Sequence, residues 1–317
     1  MAVFNGEKHL KEQLQSILAQ KMQADEIVIC DDSDNTRSFE VIEPFIKQNP
    51  GLIKYHKNDT CLGVSKNFEK AIALTTGDII FLSDQDDIWR EDKITQLVSL
   101  LNASPSCGGA FCNSELVDDD LKPLGCTHWD LRSFYDDAID TGNNGRLDFF
   151  VKRVPVAGHN MAFKSRLKDL VLPFPELEEC HDTWLGLIIE ATERWAFISE
   201  CLTQFRQHDS NLSQAGRFSQ LQEAVYSIKN NRCSWNEVLY NNLLERLSQA
   251  GNKAVDGAVW DLLRDRCEHC RVRSQMNCNI FKRLPMICGE ISNKRYFKYG
   301  RGWKNVIQDM VLRSFCR

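Results

Sequence analysis

Seven residues, Ser83-Asp84-Gln85-Asp86-Asp87-Ile88-Trp89, constrain this chain more than any other stretch. They follow an apolar run, Ile79-Ile80-Phe81-Leu82, that reads as a buried strand. Three carboxylates in four residues just past a strand repel one another unless a cation sits among them. In open α/β sheets, ligands bind outside the carboxyl ends of the strands. Mg²⁺ or Mn²⁺ carrying a diphosphate suits such a loop, because both favour carboxylate oxygens and keep substrate phosphate in their shell. The plain alternative is an acidic loop at a helix start, with Asp87 or Glu91 near the N-terminus of that helix.

The surrounding pattern is α/β. Ala2-Val3-Phe4 reads as the end of a strand and Asn5-Gly6 as a turn. His9 to Gln20 is amphipathic through Leu10, Leu14, Ile17 and Leu18. Ile27-Val28-Ile29-Cys30 is a second strand and residues 53–56 a third, separated by a helix over Phe39–Gln48. Lys66 to Thr75 is helical, and residues 79–82 form a fourth strand. The order βαβαβαβ predicts a mostly parallel sheet flanked by helices. Further strands are expected at 109–113 and 195–199, with a helix from Cys180 to Thr192 between them and a loop-rich stretch over 126–148. Past about residue 215 the spacing is helical, over Phe218–Ile228, Trp235–Leu247 and 253–275. The expected division is therefore 1–214, an α/β domain, and 215–317, a helical region with a basic tail. Only about three extended residues precede Asn5, fewer than the usual five or six, so the first strand reads as truncated or unusually short.

Among the 317 residues, 43% are hydrophobic and 26% charged, as in a globular protein. The net charge of -5 argues against general nucleic-acid binding. It hides an asymmetry: residues 271–317 hold 11 Lys/Arg against Glu290 and Asp309, so the rest of the chain is strongly acidic. A basic tail bearing aromatics suits either a solvated helical face or peripheral contact with anionic lipid. Thirteen cysteines without a disulfide spacing, and no signal-peptide pattern, favour a reducing cytoplasmic setting. No apolar run approaches a membrane span. Cys267-Glu268-His269-Cys270 lacks the second pair that a closed zinc site needs, and reads as part of an ordinary helix.

Two strand ends carry acids, Asp31-Asp32 and Asp84/Asp86/Asp87, and a parallel sheet brings such ends to one edge. Both clusters cannot hold metal without excess charge. The division that balances charge gives Asp32 to a neutral donor such as a pyrimidine N–H, Asp86 to the metal, and Phe4 to packing on the base.

These stretches resemble the family 2 glycosyltransferases of the GT-A fold. Met1-Ala2-Val3-Phe4-Asn5-Gly6-Glu7 is similar to the family's opening, and Cys30-Asp31-Asp32-Ser33 to its second strand end. Gly63 and Asn67 fall in its nucleotide region. Asp84-Gln85-Asp86-Asp87-Ile88-Trp89 resembles the DxD motif of rhamnosyltransferase-like members. His181-Asp182-Thr183-Trp184 resembles the position of the catalytic base. Gln204-Phe205-Arg206-Gln207-His208 with Asn211, and Lys294 to Gly300, resemble the closing segments of the same subgroup. The likeness runs over nearly the whole chain and rests on five motifs in order.

The resemblance implies inverting transfer from a nucleotide diphosphate sugar, UDP- or dTDP-linked, to a glycan or lipid-linked glycan acceptor. It implies a cytoplasmic enzyme, peripheral at the inner membrane face, that builds lipopolysaccharide or capsule. By position, Asp32 reads the base between Ala2 and Phe4, and Asn67 lies near the nucleotide. Asp86 binds the divalent metal, Mg²⁺ or Mn²⁺, with Asp84 supporting it or meeting the donor. His208 completes that site, and Asp182 is the general base. Gly158, His159, Asn160 and Trp184 lie near the acceptor. Each has a plainer reading. Asp182 is also a first-turn helix acid, His208 a loop histidine, and Trp184 and Trp89 packing residues. His159 stands where a smaller residue is expected. Two other function classes compete: a metal-dependent phosphohydrolase, which wants a hydroxyl residue and a lysine this motif does not supply, and a non-catalytic nucleotide-sugar-binding relative.

Overall fold

The computed structural model describes residues 1–134, 145–208, 227–251, 255–276 and 279–312. They fall into two compact units: Met1–Ala138 with Pro155–Asn211, and Ile139–Val154 with Leu212–Arg317. Asn211, Cys278 and most of the helix expected over 218–228 lie outside the described residues, as does part of the stretch 126–148.

The first unit opens with β1 (Ala2–Val3), α1 (Leu10–Leu18), β2 (Ile27–Asp31), α2 (Arg37–Gln48), β3 (Ile53–Lys57) and α3 (Val64–Leu74). β1, β2 and β3 pair in parallel. β2 is buried along its whole length, and α1 turns Leu10, Leu14 and Ile17 onto this sheet. The spacing that marks α1 is thus the face that burial selects.

A second sheet follows, in the order β4-β8-β6-β9-β5 with β7 on β6. Its strands are β4 (Ile79–Phe81), β5 (Ile88–Trp89), β6 (Cys107–Val117), β7 (Pro123–Thr127), β8 (Met161–Lys164) and β9 (Arg194–Arg206). Helices α4 (Lys93–Ala103), α5 (His128–Arg132), α7 (Lys168–Val171) and α8 (His181–Thr192) belong to the same unit, and α6 (Gly145–Lys152) to the other. The α/β class expected from the sequence holds. Strand partnership differs in detail: β4 does not extend the parallel run of β1–β3 but pairs antiparallel with β8, and among the described strands of the second sheet only β6 and β9 are parallel neighbours. A hydrophobic run marks a strand without naming its partner. β6 and β9 are also longer than expected, because register shifts within them interrupt the apolar pattern. A cavity of about 440 Å³, walled by β2, β4 and α3, is lined by Val28, Phe68, Ala71, Ile72 and Ile80 among others.

The second unit is helical: α6, α9 (Arg232–Gln249), α10 (Gly257–Ser274), α11 (Ile280–Ser292), α12 (Arg295–Tyr299) and α13 (Trp303–Ile307), then a π-helical turn, Gln308–Leu312. Leu239, Leu243 and Leu247 of α9 and Leu262 and Leu263 of α10 are buried. So is an ionic network: Arg273 pairs with Asp309 at 2.6 Å, and Tyr296 donates to the same carboxylate at 2.8 Å. His269 meets Glu290, which also takes Arg295 at 2.9 Å. Cys267, His269 and Cys270 are therefore interior helix residues, and among the described residues they gather into no metal site. Among the described residues no helix is long and apolar enough to cross a membrane.

Candidate functional site

The site lies in the first unit, at the ends of β1, β2 and β4. Asp31 ends β2 fully buried, accepting from Tyr55 Oη at 2.7 Å and Ser33 N at 2.8 Å. Asp32 points the other way. Its Oδ2 accepts from the backbone N–H of Leu62 at 3.0 Å and Gly63 at 2.9 Å, and its Oδ1 from Asn58 Nδ2 at 2.5 Å. Asn58 also donates to Asn67 Oδ1, and Asn67 Nδ2 donates to Val3 O at 3.3 Å and Cys30 O at 3.0 Å. Asp32 and Asn67 thus fasten the turn before α3 to the ends of β1 and β2. Ala2 is paired inside β1, and Phe4, just past it, is 52% exposed.

The acidic loop is tied to β1 by a residue the sequence reading passed over. Gln85 Oε1 accepts from Phe4 N at 2.9 Å, and its Nε2 donates to Phe4 O at 3.1 Å, so one amide holds both backbone groups. Gly6 makes room for it: a Cβ there would lie 2.3 Å from Gln85 Oε1.

On the other side Arg206, at the end of β9 and 2% exposed, grips the loop. Its Nε donates to Asp86 O at 2.9 Å, its Nη2 to Glu12 at 2.6 Å, its Nη1 to Asp119 O, and its backbone N to Asp87 Oδ1 at 3.1 Å. Two residues on, His208 Nε2 meets Asp86 Oδ2 at 2.9 Å. The structure brings these two expected metal ligands together. Asp84, Asp87 and His159 form a second group, each offering one ligand atom, all within 4.8 Å of one another.

The electrostatics follow from this crowding. Burial, then the charges of Asp86 and Asp182, push the Asp84 carboxyl up to about 7. Asp87 is raised well above the ordinary range by burial, then by Asp86 and Asp84. Its Oδ2 is buried without a hydrogen-bond partner. The nearby cation is Lys93, buried, donating to His159 O at 2.7 Å and lying 3.9 Å over the Trp89 ring. Burial lowers its ammonium to about 8, although Cys112, Asp87 and Asp84 pull it upward. A buried carboxyl oxygen with no donor, inside an acid-rich group, fits a divalent cation.

Asp182 sits in the first turn of α8, its Oδ1 taking Thr183 N at 2.6 Å and Thr183 Oγ1 at 3.3 Å. Next to it His181 stacks on Phe68 at 4.5 Å. Gly158 lies between this helix start and the acidic loop: a Cβ there would come within 2.9 Å of His181 Nε2 and 3.9 Å of Asp84 Oδ1.

The remaining acceptor candidates need correction. Trp184 has no exposed surface and donates to Val171 O at 2.8 Å, so it is a packing residue that no acceptor can reach. His159 is buried, stacked on Phe205 at 4.1 Å and 2.9 Å from Ser114 Oγ, and burial holds its ring well below its ordinary pKa. Asn160 is buried too, accepting from Ala157 N at 3.0 Å. Of the Gly158-His159-Asn160 stretch, Gly158 and His159 border the acidic loop. The sequence reading did not single out Lys93, and it met Gln85 only as a spacer of the acidic motif and Arg206 only as a member of the closing segment, because each acts across more than 65 residues of sequence.

Comparison with known proteins bears on the fold. Residues 1–143 match the model of Glycosyl transferase family 2. The chain is 37% identical over 105 residues to the dTDP-rhamnosyl transferase RfbG of Shigella flexneri, covering 32% of this chain and 36% of that protein. It is 23% identical over 212 residues to the putative teichuronic acid biosynthesis glycosyltransferase TuaG of Bacillus subtilis, covering 66% of this chain and 78% of that one. Among solved structures, S. aureus TarS 1-349 in complex with UDP-GlcNAc superposes with a TM-score of 0.53 at 14% identity, covering 99% and 91% of the two chains. The mannosyltransferase PcManGT of Pyrobaculum calidifontis, in complex with GDP-Man and Mn²⁺, does so with 0.52 at 14%, covering 99% and 85%. At such identities the likeness is one of fold. The fold is GT-A, and residues 1–143 carry a segment that matches glycosyl transferase family 2.

Proposed function

We propose that the first unit is an inverting, metal-dependent glycosyltransferase that moves a sugar from a nucleotide diphosphate donor to a glycan acceptor of a cell-surface polysaccharide. The observation that carries this reading is the acidic loop, clamped by Gln85 and Arg206 at the strand ends, with Asp182 close enough to raise the pKa of Asp84. Asp32 and Phe4 border the base, with Asn67 holding the strand ends beneath it. Asp86 and His208 hold the metal, Mg²⁺ or Mn²⁺, which when bound neutralises the leaving diphosphate. Asp84 faces the donor sugar. Asp182 takes the proton of the acceptor hydroxyl as its oxygen attacks the anomeric carbon, and the bond to the diphosphate breaks with its electrons leaving on the nucleotide. Thr183 occupies Oδ1 and leaves Oδ2 for that proton. The likeness to RfbG favours dTDP-rhamnose as donor. A lipid-linked acceptor at the cytoplasmic membrane face suits a peripheral protein.

The test is calorimetric titration with dTDP and UDP, each with and without Mn²⁺, on the parent and Asp86→Ala, followed by transfer assays from dTDP-rhamnose on the parent and Asp182→Asn. Metal-dependent binding lost in Asp86→Ala, with turnover lost in Asp182→Asn while binding persists, is the expected pattern. Absence of nucleotide binding would overturn the reading, and binding without turnover on any acceptor would reduce it to a nucleotide-sugar binder.

A further inference from the structure

The second unit carries a surface that the transfer reaction does not use. α11 is amphipathic in reverse: it buries Arg283, Ile287 and Glu290 and turns Phe281, 82% exposed, and Leu284 outward. Beyond it the rings of Phe297 and Trp303 meet edge to face at 5.5 Å, both exposed, and Ile307 follows one turn later at 58% exposure. This is no fraying end. Arg283 Nη1 donates to Asp309 O at 2.8 Å, and Arg273 and Tyr296 hold the Asp309 carboxylate, so the apolar side chains stand on a buried ionic base. Exposed Lys282, Lys294 and Lys298 lie in the same segment, whereas Arg273, Arg283 and Arg295 belong to the ionic network beneath.

Exposed aromatic and aliphatic side chains among lysines do not suit a nucleic acid, which has no use for Leu284 or Ile307. An ordinary apolar protein partner has no use for the positive charge. An anionic bilayer surface takes both. Indole and phenyl rings settle at the headgroup boundary, aliphatic side chains enter just beneath it, and lysines meet the lipid charge. We propose that these exposed side chains of the second unit dock on an anionic phospholipid surface. The proposal deepens the reading of a peripheral protein by assigning the lipid contact to named residues of the second unit, and it is tested apart from the chemistry of the first.

The experiment is co-sedimentation of the full chain with vesicles of phosphatidylcholine alone and of phosphatidylcholine mixed with phosphatidylglycerol. Partition onto the mixed vesicles only, weakened by salt, is expected. Each surface lysine contributes about a fivefold factor, so Lys282→Glu with Lys294→Glu lowers partition by about 20-fold or more. Phe281→Ser with Trp303→Ser lowers it by at least about tenfold. All four positions are exposed, and an unchanged circular-dichroism melt checks that the variants fold. Equal binding to both vesicle types, or binding to neither, overturns the proposal. So does a dimer that Phe281→Ser with Trp303→Ser dissolves while lipid is ignored, which would assign the face to a second copy of the chain. Nucleotide titration reads the first unit separately, so the failure of one reading is distinct from that of the other.

Discussion

Replacing Asp84 by Asn is expected to stabilise the protein while removing its activity. Asp84 and Asp87 belong to a group whose ligand atoms lie within 4.8 Å of one another. Burial is the main cause of the raised Asp84 carboxyl pKa, and the charges of Asp86 and Asp182 add to it. A carboxyl carried from 3.8 to about 7 represents about 4 kcal/mol. Because folding raises this pKa, the native carboxyl keeps a proton that the unfolded chain releases. Stability therefore falls as pH rises from about 4 to about 7 and is flat beyond. Asp84→Asn removes that loss. The variant should exceed the parent by about 3 kcal/mol near pH 8, equivalent to a melting temperature higher by roughly 6–12 °C for a unit of this size, and match it near pH 4. Urea and thermal unfolding at both pH values read the difference. An equal gain at both pH values, or none near pH 8, would refute the electrostatic account of the loop.

Three further outcomes follow from the same geometry. Gly6→Ala forces a Cβ to within 2.3 Å of Gln85 Oε1, so Gln85 must release Phe4; a loss of about 1–3 kcal/mol and weaker nucleotide binding are expected, and a variant that melts and binds like the parent would show that the clamp is dispensable. Arg206→Lys keeps one charge but cannot reach Asp86 O, Glu12 and Asp119 O together, so it should cost about 2–3 kcal/mol and reduce metal-dependent nucleotide affinity; full retention of both would remove Arg206 from the loop's support. Ala71 lines the 440 Å³ cavity, and Ala71→Leu should raise stability by about 1 kcal/mol in a denaturant melt, whereas a loss would mean that the neighbouring side chains cannot accept the added volume.

The helices and strands before Asp87 were legible because each is amphipathic or apolar at its own period: Leu10, Leu14 and Ile17 on α1, and the unbroken run of β2. The acidic loop was legible because like charges beyond a strand are conspicuous in one dimension. Pairing was not legible. Nothing in Ile79-Ile80-Phe81 distinguishes a parallel neighbour from β8, which arrives 80 residues later. Trp184 shows the opposite failure. An indole beside a candidate base invites a sugar-stacking role, yet its burial is decided by the packing of Val171 and the rest of α7 against α8, which spacing does not encode.

The site's supports explain why an acidic loop persists where it costs stability. Left alone, Asp84, Asp86 and Asp87 would separate into solvent and relieve their repulsion. Gln85 anchors the loop from the β1 side through two hydrogen bonds, and Arg206 anchors it from the β9 side through a backbone carbonyl and a backbone N–H. Neither clamp neutralises the carboxylates: Gln85 is uncharged, and the guanidinium is turned to Asp86 O, Glu12 and Asp119 O. Lys93 supplies positive charge from beneath, but burial lowers its own pKa, so it compensates incompletely. The result is a rigid loop with residual negative charge and an unpartnered buried oxygen on Asp87. A loop held in that state gains most from a multivalent cation and a diphosphate arriving together, because the repulsion has already been set against folding and its relief adds to binding.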